Sequence, residues 1–259
     1  GDVLWAMKNL CGMDLKQAES RRISEISRRK DNIPIRVTTS MQDLVERAVT
    51  QNFVPVVDDK ETFIGTAPGR GISVTLADGT ERIIFCVYDN AGLFYDPIFE
   101  NASTIYSDDN GATWHRGAET ECRSMMTKTS EAQIVEIATQ EDGMPVLRMY
   151  ARNGSNFIAY ADSFDGGITW TTFVRDEALQ GTKNCMYSFI NTDLTINGKS
   201  VILSSAGGNT ESRADGVIRV GLVDEATLNV DWITTYRFKA GFYGYSCLTE
   251  LADGNFAIL

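Results

Sequence analysis

From about residue 52 onward the chain alternates short apolar runs, rich in Val, Ile, Phe and Tyr, with polar punctuation by Asp-Gly, Asn-Gly and Gly-Gly. Runs of this length and composition predict strands. They fall at 72–76, 82–88, 104–107, 133–139, 145–151, 157–163, 168–174, 200–204, 217–223 and 232–238. The dipeptides Asp78-Gly79, Asp142-Gly143, Asn197-Gly198 and Asp253-Gly254 predict hairpin turns, because these residues tolerate the left-handed backbone that a tight hairpin needs. Residues 1–50 read differently. Positions 16–30 are dense in Arg, Lys, Glu and Ser, and Leu15, Ile23 and Ile26 give a weak helical stripe. Thr39 or Ser40 can cap a short helix through about Val49, with Asp43 in its first turn and Met41, Leu44, Val45 and Ala48 on one face. The pattern therefore divides the chain into a helical or irregular segment, 1–50, and a β-rich part, 51–259.

One octet organises the β-rich part. Ser-Asp-Asp-Asn-Gly-Ala-Thr-Trp occupies 107–114, and Ser-Phe-Asp-Gly-Gly-Ile-Thr-Trp occupies 163–170, 56 residues further on. Both fit Ser-x-Asp-x-Gly-x-Thr-Trp: Ser107, Asp109, Gly111, Thr113 and Trp114, then Ser163, Asp165, Gly167, Thr169 and Trp170. Such an octet predicts a tight turn between two strands. Its Asp accepts backbone N–H bonds, its Gly permits positive φ, and its Trp carries a large apolar plate onto the next strand. A degenerate third copy lies at 224–232. Four strands per 56 residues matches a propeller blade. Three to four blades are visible, and a ring of this type wants about six, so an internal portion of a propeller is expected.

Composition narrows the chemistry. A formal charge of −11 and a pI near 4.6 argue against nucleic acid as a partner. An anionic substrate would need a local cluster of arginines. No apolar run is long enough to cross a membrane as a helix. The five cysteines, Cys11, Cys86, Cys122, Cys185 and Cys247, show no metal-binding spacing and read as mostly buried, with one disulfide open. His115 is the single histidine, which argues against a histidine-centred triad. Its place after Trp114 suggests a surface residue flanking the turn.

Several further features stand in a fixed order around the octets. Pro68-Gly69-Arg70-Gly71-Ile72 precedes the first hairpin, and Ile105-Tyr106 runs into the first octet. Thr129-Ser130-Glu131-Ala132-Gln133-Ile134-Val135-Glu136 follows, then Met149-Tyr150-Ala151-Arg152. Leu203-Ser204-Ser205-Ala206-Gly207-Gly208 with Arg213 comes next, then Phe242-Tyr243-Gly244-Tyr245-Ser246-Cys247-Leu248. In content and order, from 68 to 259, this resembles the bacterial sialidases (exo-α-neuraminidases), all-β proteins whose six-bladed propeller carries Asp-box turns.

The resemblance implies an exo-α-sialidase acting on sialylated glycoproteins, glycolipids and oligosaccharides, outside the cell or at a bacterial surface, with no metal or cofactor. It implies Tyr245 as nucleophile, Glu131 as its base, and Arg152 and Arg213 as ligands of the substrate carboxylate. The chemistry is coherent. A carboxylate nucleophile beside the acidic sugar would meet repulsion on the order of 4 kcal/mol at ~4 Å and effective ε ~20, whereas a neutral phenol would not. Glu136 competes with Glu131, although along a strand it would face the other side. Tyr243 competes with Tyr245, with which it would share a face, and Arg219 is the alternative to Arg213. The family's Arg-Ile-Pro element and its acid/base aspartate have no match: Ile33-Pro34 follows Asn32, and neither role goes to Arg36, Asp58 or Asp59. This piece is accordingly expected to be poorly active or inactive alone. A trans-sialidase variant and a non-catalytic Asp-box propeller that binds glycan or protein are the other readings.

Overall fold

The computed structural model describes residues 70–89, 101–118 and 129–259, together with 35–36, 39, 43, 56–57 and 63–66. The expected stripe at 16–30, the helix at 39–49 apart from Thr39 and Asp43, Cys11, Cys122, Asp58 and Asp59 lie outside the described residues.

The described elements are all strands. Ile35–Arg36 (β1) pairs in parallel with Val56–Val57 (β2), which pairs with Phe63–Thr66 (β3). A first blade follows: Ile72–Thr75 (β4), Glu81–Asp89 (β5), Asn101–Ser107 (β6) and His115–Arg116 (β7), with β3 continuing along the β4 edge of β5. The second is Thr129–Thr139 (β8), Pro145–Asn153 (β9), Phe157–Ser163 (β10) and Val174–Gln180 (β11). The third is Ser188–Ile196 (β12), Lys199–Gly207 (β13), Ala214–Asp224 (β14) and Asn229–Phe242 (β15). Leu248–Glu250 (β16) and Phe256–Ile258 (β17) form the next hairpin. Successive four-stranded antiparallel meanders are the blades of a β-propeller, here a partial one.

The blades cohere because their inner strands are apolar on both faces. In β8, Ile134 joins a core with Val74, Ile84 and Ala102 of the first blade, while Val135 and Ile137 join one with Phe189, Ile202 and Ala206 of the third. In β9, Leu147 and Met149 face the first blade, and Val146 and Tyr150 face the third. Strands between two sheets read as near-continuous apolar runs, which is why 145–151 lacks a polar alternation. The next interface repeats the device, with Ile190, Val201 and Leu203 meeting Leu248.

Two arginines tie neighbouring blades at the turn edge. Arg82 on β5 grips Asp108 through Nε and Nη2 at 2.6 and 2.7 Å and donates from Nη1 to the Gly166 carbonyl of the second octet at 3.0 Å. Arg148 on β9 grips Asp162 at 2.7 and 2.8 Å and donates to the Leu228 carbonyl between β14 and β15 at 2.9 Å. Each guanidinium lies over a tyrosine ring, Tyr106 or Tyr160.

The four hairpin dipeptides all connect the first and second strands of a blade, and their glycines have positive φ. The octets connect the third and fourth. In the second octet Ser163 Oγ accepts the Gly167 N–H at 2.8 Å and donates to Asp165 at 2.8 Å, and Asp165 accepts the N–H groups of Ile168 and Thr169 at 3.0 and 2.9 Å. The first octet repeats the bonds from Ser107 to Gly111 and from Asp109 to Thr113. Gly111 and Gly167 have φ of 85° and 87°. Trp114 is buried and Trp170 half-buried against the first core. At the third position, Asp224 accepts the Thr227 N–H at 3.2 Å. His115 is exposed on β7, its ring tilted against Tyr106 with centroids 5.5 Å apart.

One expected strand is misplaced. Residues 168–173 are not a strand, and β11 begins only at Val174. The Asp165 carboxylate holds the backbone at 168 and 169 in the turn, and Thr171 then bonds Asp162 through both its N–H and its hydroxyl, at 2.8 and 2.9 Å. The strand β12 was not expected; its outer half is largely exposed and mixes Thr and Asp with Leu194 and Ile196.

Asp165→Ala leaves two backbone N–H groups and two hydroxyls without their charged acceptor. It should cost about 2 kcal/mol of stability, read as a lowered urea midpoint at unchanged slope.

Candidate active site

The site forms at the edge of the blades opposite the octet turns. Glu131 lies near the start of β8, Arg152 near the end of β9, Arg213 just before β14 and Tyr245 just before β16. Antiparallel order brings these ends together. A bulge in β8 refines the fit: Thr129 pairs with Asn153 and Ala132 with Ala151, so Ser130 and Glu131 together oppose Arg152. Bulges re-aim side chains in this way.

The Tyr245 hydroxyl donates to the Glu131 carboxylate at 2.7 and 2.8 Å and accepts from Arg152 Nη1 at 2.6 Å. The same Nη1 donates to Glu131 at 2.5 Å. The Arg213 guanidinium carbon is 5.3 Å from the centre of the Tyr245 ring. The ring is 42% exposed, whereas the Glu131 and Arg152 side chains keep 12% and 16% of their surface. Burial, then the Glu131 hydrogen bond and charge, push the Tyr245 pKa up to about 12, against the opposing pull of Arg152 and Arg213. Burial alone would lower the Arg152 pKa, but Glu131 reverses it and holds the guanidinium more firmly charged. The arrangement is a neutral phenol, a carboxylate able to take its proton, and a cation able to steady the phenolate.

The supporting contacts come partly from Asn184, Thr182 and Asn209, which no motif contains, and partly from motif residues Ser205, Tyr243 and Ser246. Asn184, at φ 52°, accepts from Arg152 Nε at 3.0 Å and fixes the fork from behind. Asn209 accepts the N–H groups of Glu211 and Ser212 at 2.9 and 3.0 Å, and Thr182 Oγ1 donates to the Asn209 and Ser212 carbonyls, which shapes the loop before Arg213. The Arg213 carbonyl accepts the Tyr243 N–H at 3.0 Å, and the buried hydroxyls of Ser205 and Ser246 meet at 2.7 Å. An Asn followed by a polar loop was the only sequence trace of the part outside the motifs.

The competing residues lie elsewhere. Glu136 borders a cavity of about 310 Å³ with Arg70, Ile72 and Phe189, and burial raises its pKa. Its N–H and C=O are both bound by the Asn191 amide, at 2.9 and 2.7 Å. Tyr243 is buried edge-on to Phe238. It does not share a face with Tyr245, because 243–247 is not a strand and alternation does not apply. Arg219 is buried over the Tyr187 ring and donates to the Gln180 carbonyl at 2.6 Å. Cys86, Cys185 and Cys247 are free thiols. Among the described residues no three His, Cys, Asp or Glu side chains gather as a metal cage would need, and no helix is long and apolar enough to cross a membrane.

Known proteins carry the same framework, although no protein-family model matches the chain. Over 224 residues, 82% of the chain, it is 33% identical to the anhydrosialidase of Macrobdella decora. It is 27% identical over 218 residues to a sialidase of Micromonospora viridifaciens. The intramolecular trans-sialidase of Ruminococcus gnavus superposes on 77% of the chain with a TM-score of 0.63 and 32% identity, over 40% of its own length. About four fifths of the chain matches these proteins, and it carries a sialidase domain. It spans 27% and 31% of the lengths of the first two relatives.

For this sialidase chain, Tyr245 should titrate at about pH 12, observable with ¹³Cζ-labelled tyrosine by NMR. Glu131→Gln removes two influences that raise the pKa and leaves the two arginines that lower it, so the midpoint should fall. Because the folded value lies above the usual ~10, the Tyr245 contribution to stability is complete below about pH 10 and disappears as pH rises through about 12.

Proposed function

We propose that these four residues form the nucleophile side of a sialic-acid-cleaving site that works with retention through a tyrosyl intermediate. The observation that carries this reading is the short bond from the Tyr245 hydroxyl to the Glu131 carboxylate. As Tyr245 attacks the anomeric carbon, its proton passes to Glu131 and the bond to the aglycone breaks, the aglycone oxygen taking a proton from an acid outside these four residues or from solvent. In the second displacement water attacks that carbon and gives its surplus proton back to that acid's conjugate base or to solvent, the bond to Tyr245 breaks, and the phenol recovers its proton from Glu131. Two inversions give retention. Glu131 is needed because a phenol with a pKa near 12 is almost wholly protonated at neutral pH. Arg152 and Arg213 flank Tyr245, and guanidinium forks suit a substrate carboxylate bidentately. No metal or cofactor enters this scheme. The substrates are sialylated glycoproteins, glycolipids and oligosaccharides, which places the protein outside the cell or at a bacterial surface. A non-catalytic Asp-box propeller that binds glycan or protein would leave the Tyr245–Glu131 contact without a role.

A second reading concerns the acceptor. The relatives above 30% identity are an anhydrosialidase and intramolecular trans-sialidases, and the leech trans-sialidase is described with 2,7-anhydro-Neu5Ac from 3′-sialyllactose. A hydroxyl of the sugar itself could replace water in the second displacement.

The test uses a sialosyl fluoride with a second fluorine at C3. Fluoride leaves without a proton donor, and the C3 fluorine slows the second displacement. Mass spectrometry should then find a sugar adduct on the Tyr245 peptide, absent in Tyr245→Phe and at least 100-fold slower to form in Glu131→Gln. An adduct on another residue, or an unchanged yield in Tyr245→Phe, refutes the assignment. Where turnover is seen, NMR of the product separates free sialic acid from its 2,7-anhydro form.

A further inference from the structure

Among the described residues Phe242 is the most exposed large hydrophobic side chain before the last residue, 78% open to solvent. It closes β15 opposite Ala214, the neighbour of Arg213, and stands three residues before Tyr245. The chain does not leave it there by default. The β14–β15 register shifts between Ala214 and Gly216, Asp215 adopts φ 58°, and Gly241 adopts φ 79°. Left-handed residues on both strands and a bulge thus converge on the strand end that carries Phe242. The Gly241 N–H bonds Asp215 at 3.4 Å, and Arg237 reaches the same carboxylate at 3.6 Å. Next along the chain, Tyr243 turns inward onto Phe238 and ties its N–H to the Arg213 carbonyl.

We infer that Phe242 is a stacking platform for the sugar next to the sialic acid, making it a specificity-determining residue of the proposed site. This rests on the sialoside reading of that site. An aromatic ring offers a rigid apolar face with an electron-rich surface, which complements the C–H face of a pyranose. Ile233 and Tyr236 are also exposed farther back along β15, and between Tyr236 and Phe242 the exposed positions are Arg237, Lys239, Ala240 and Gly241. A ring of this size, set apart from Tyr236 by polar and small residues, matches one sugar, whereas a stable protein partner would need roughly 800 Å² on each side. Its position across from Ala214 makes it continuous with the arginine proposed to hold the other end of the same ligand.

Saturation-transfer NMR on the full chain tests this without requiring turnover. The probes are 3′-sialyllactose and methyl α-sialoside, compared for the unmodified chain, Phe242→Ala and Phe242→Tyr. Phe242→Ala should abolish saturation of the galactose protons and weaken sialyllactose binding about fivefold, with methyl sialoside unaffected. Phe242→Tyr should restore both. Retained galactose saturation in Phe242→Ala, or an equal loss for both ligands, overturns the platform. If the unmodified chain saturates neither ligand, the sialoside reading of the site falls, and the platform falls with it. A stacking site for protein rather than sugar would appear as retained galactose-independent binding, which also counts against it.

Discussion

The Tyr245 hydroxyl reaches the Glu131 carboxylate only because three blades are pressed together by strands that have no polar face. Glu131 and Arg152 belong to the second blade, Arg213 to the third, and Tyr245 to the entrance of the next hairpin. Burying a large apolar side chain stabilises by roughly 1.5–3 kcal/mol, and β8, β9, β12 and β13 each contribute such side chains to two interfaces at once. That directionless attraction brings the sheets together but does not set their relative height. Height is set by polar contacts that cross between blades: Arg82 to Gly166, Arg148 to Leu228 and Asn191 to Glu136. A hydrogen bond tolerates only a few tenths of an ångström before it weakens. These contacts therefore convert loose stacking into the fixed register that a 2.7 Å bond at the far edge requires.

The sequence was informative wherever the chemistry of one residue dictates the local backbone. Asp-Gly and Asn-Gly pairs marked the first hairpin of every blade, and the octets marked the connection from third to fourth strand. Tyr245 and Glu131 were nameable from their motifs, and the structure brings them into contact with Arg152. What escaped was decided by long-range geometry. Strand alternation misled at Tyr243 because the chain leaves the sheet after Phe242. It misled again at 168–174, where the side chain of Asp165 competes with pairing for the backbone N–H groups. β12 was missed although Leu194 and Ile196 lie in its outer half; only the first half of the strand packs against neighbouring blades. Asn184 carried no motif at all, since its role depends on a left-handed turn meeting an arginine 32 positions earlier.

Within the site, one carboxylate does two opposed things to the phenol. As hydrogen-bond acceptor and negative neighbour, Glu131 keeps the proton on Tyr245, and burial acts in the same direction. As the only carboxylate bonded to that hydroxyl among the described residues, it is also the group positioned to take the proton away. These roles are compatible because they apply at different moments. In the proposed mechanism the phenol at rest is neutral and can approach an anionic sugar, and proton transfer during attack delivers the nucleophile only when its charge is consumed in bond formation. A permanently ionised tyrosine would restore the repulsion that makes a carboxylate unsuitable.

Arg152 completes this balance. It donates to both Glu131 and Tyr245, so it lowers the energy of either charge distribution, carboxylate beside phenol or carboxylic acid beside phenolate. A cation free to swing would follow the charge and lose orientation as the proton moved. Asn184 accepts from the Nε side of the same guanidinium, leaving the planar group little freedom to rotate. Preorganisation of that kind works best in a setting partly closed to water, and the low exposure of Glu131 and Arg152 beneath an accessible Tyr245 ring provides it. The charged pair forms a fixed floor, and the Tyr245 ring is the part left open.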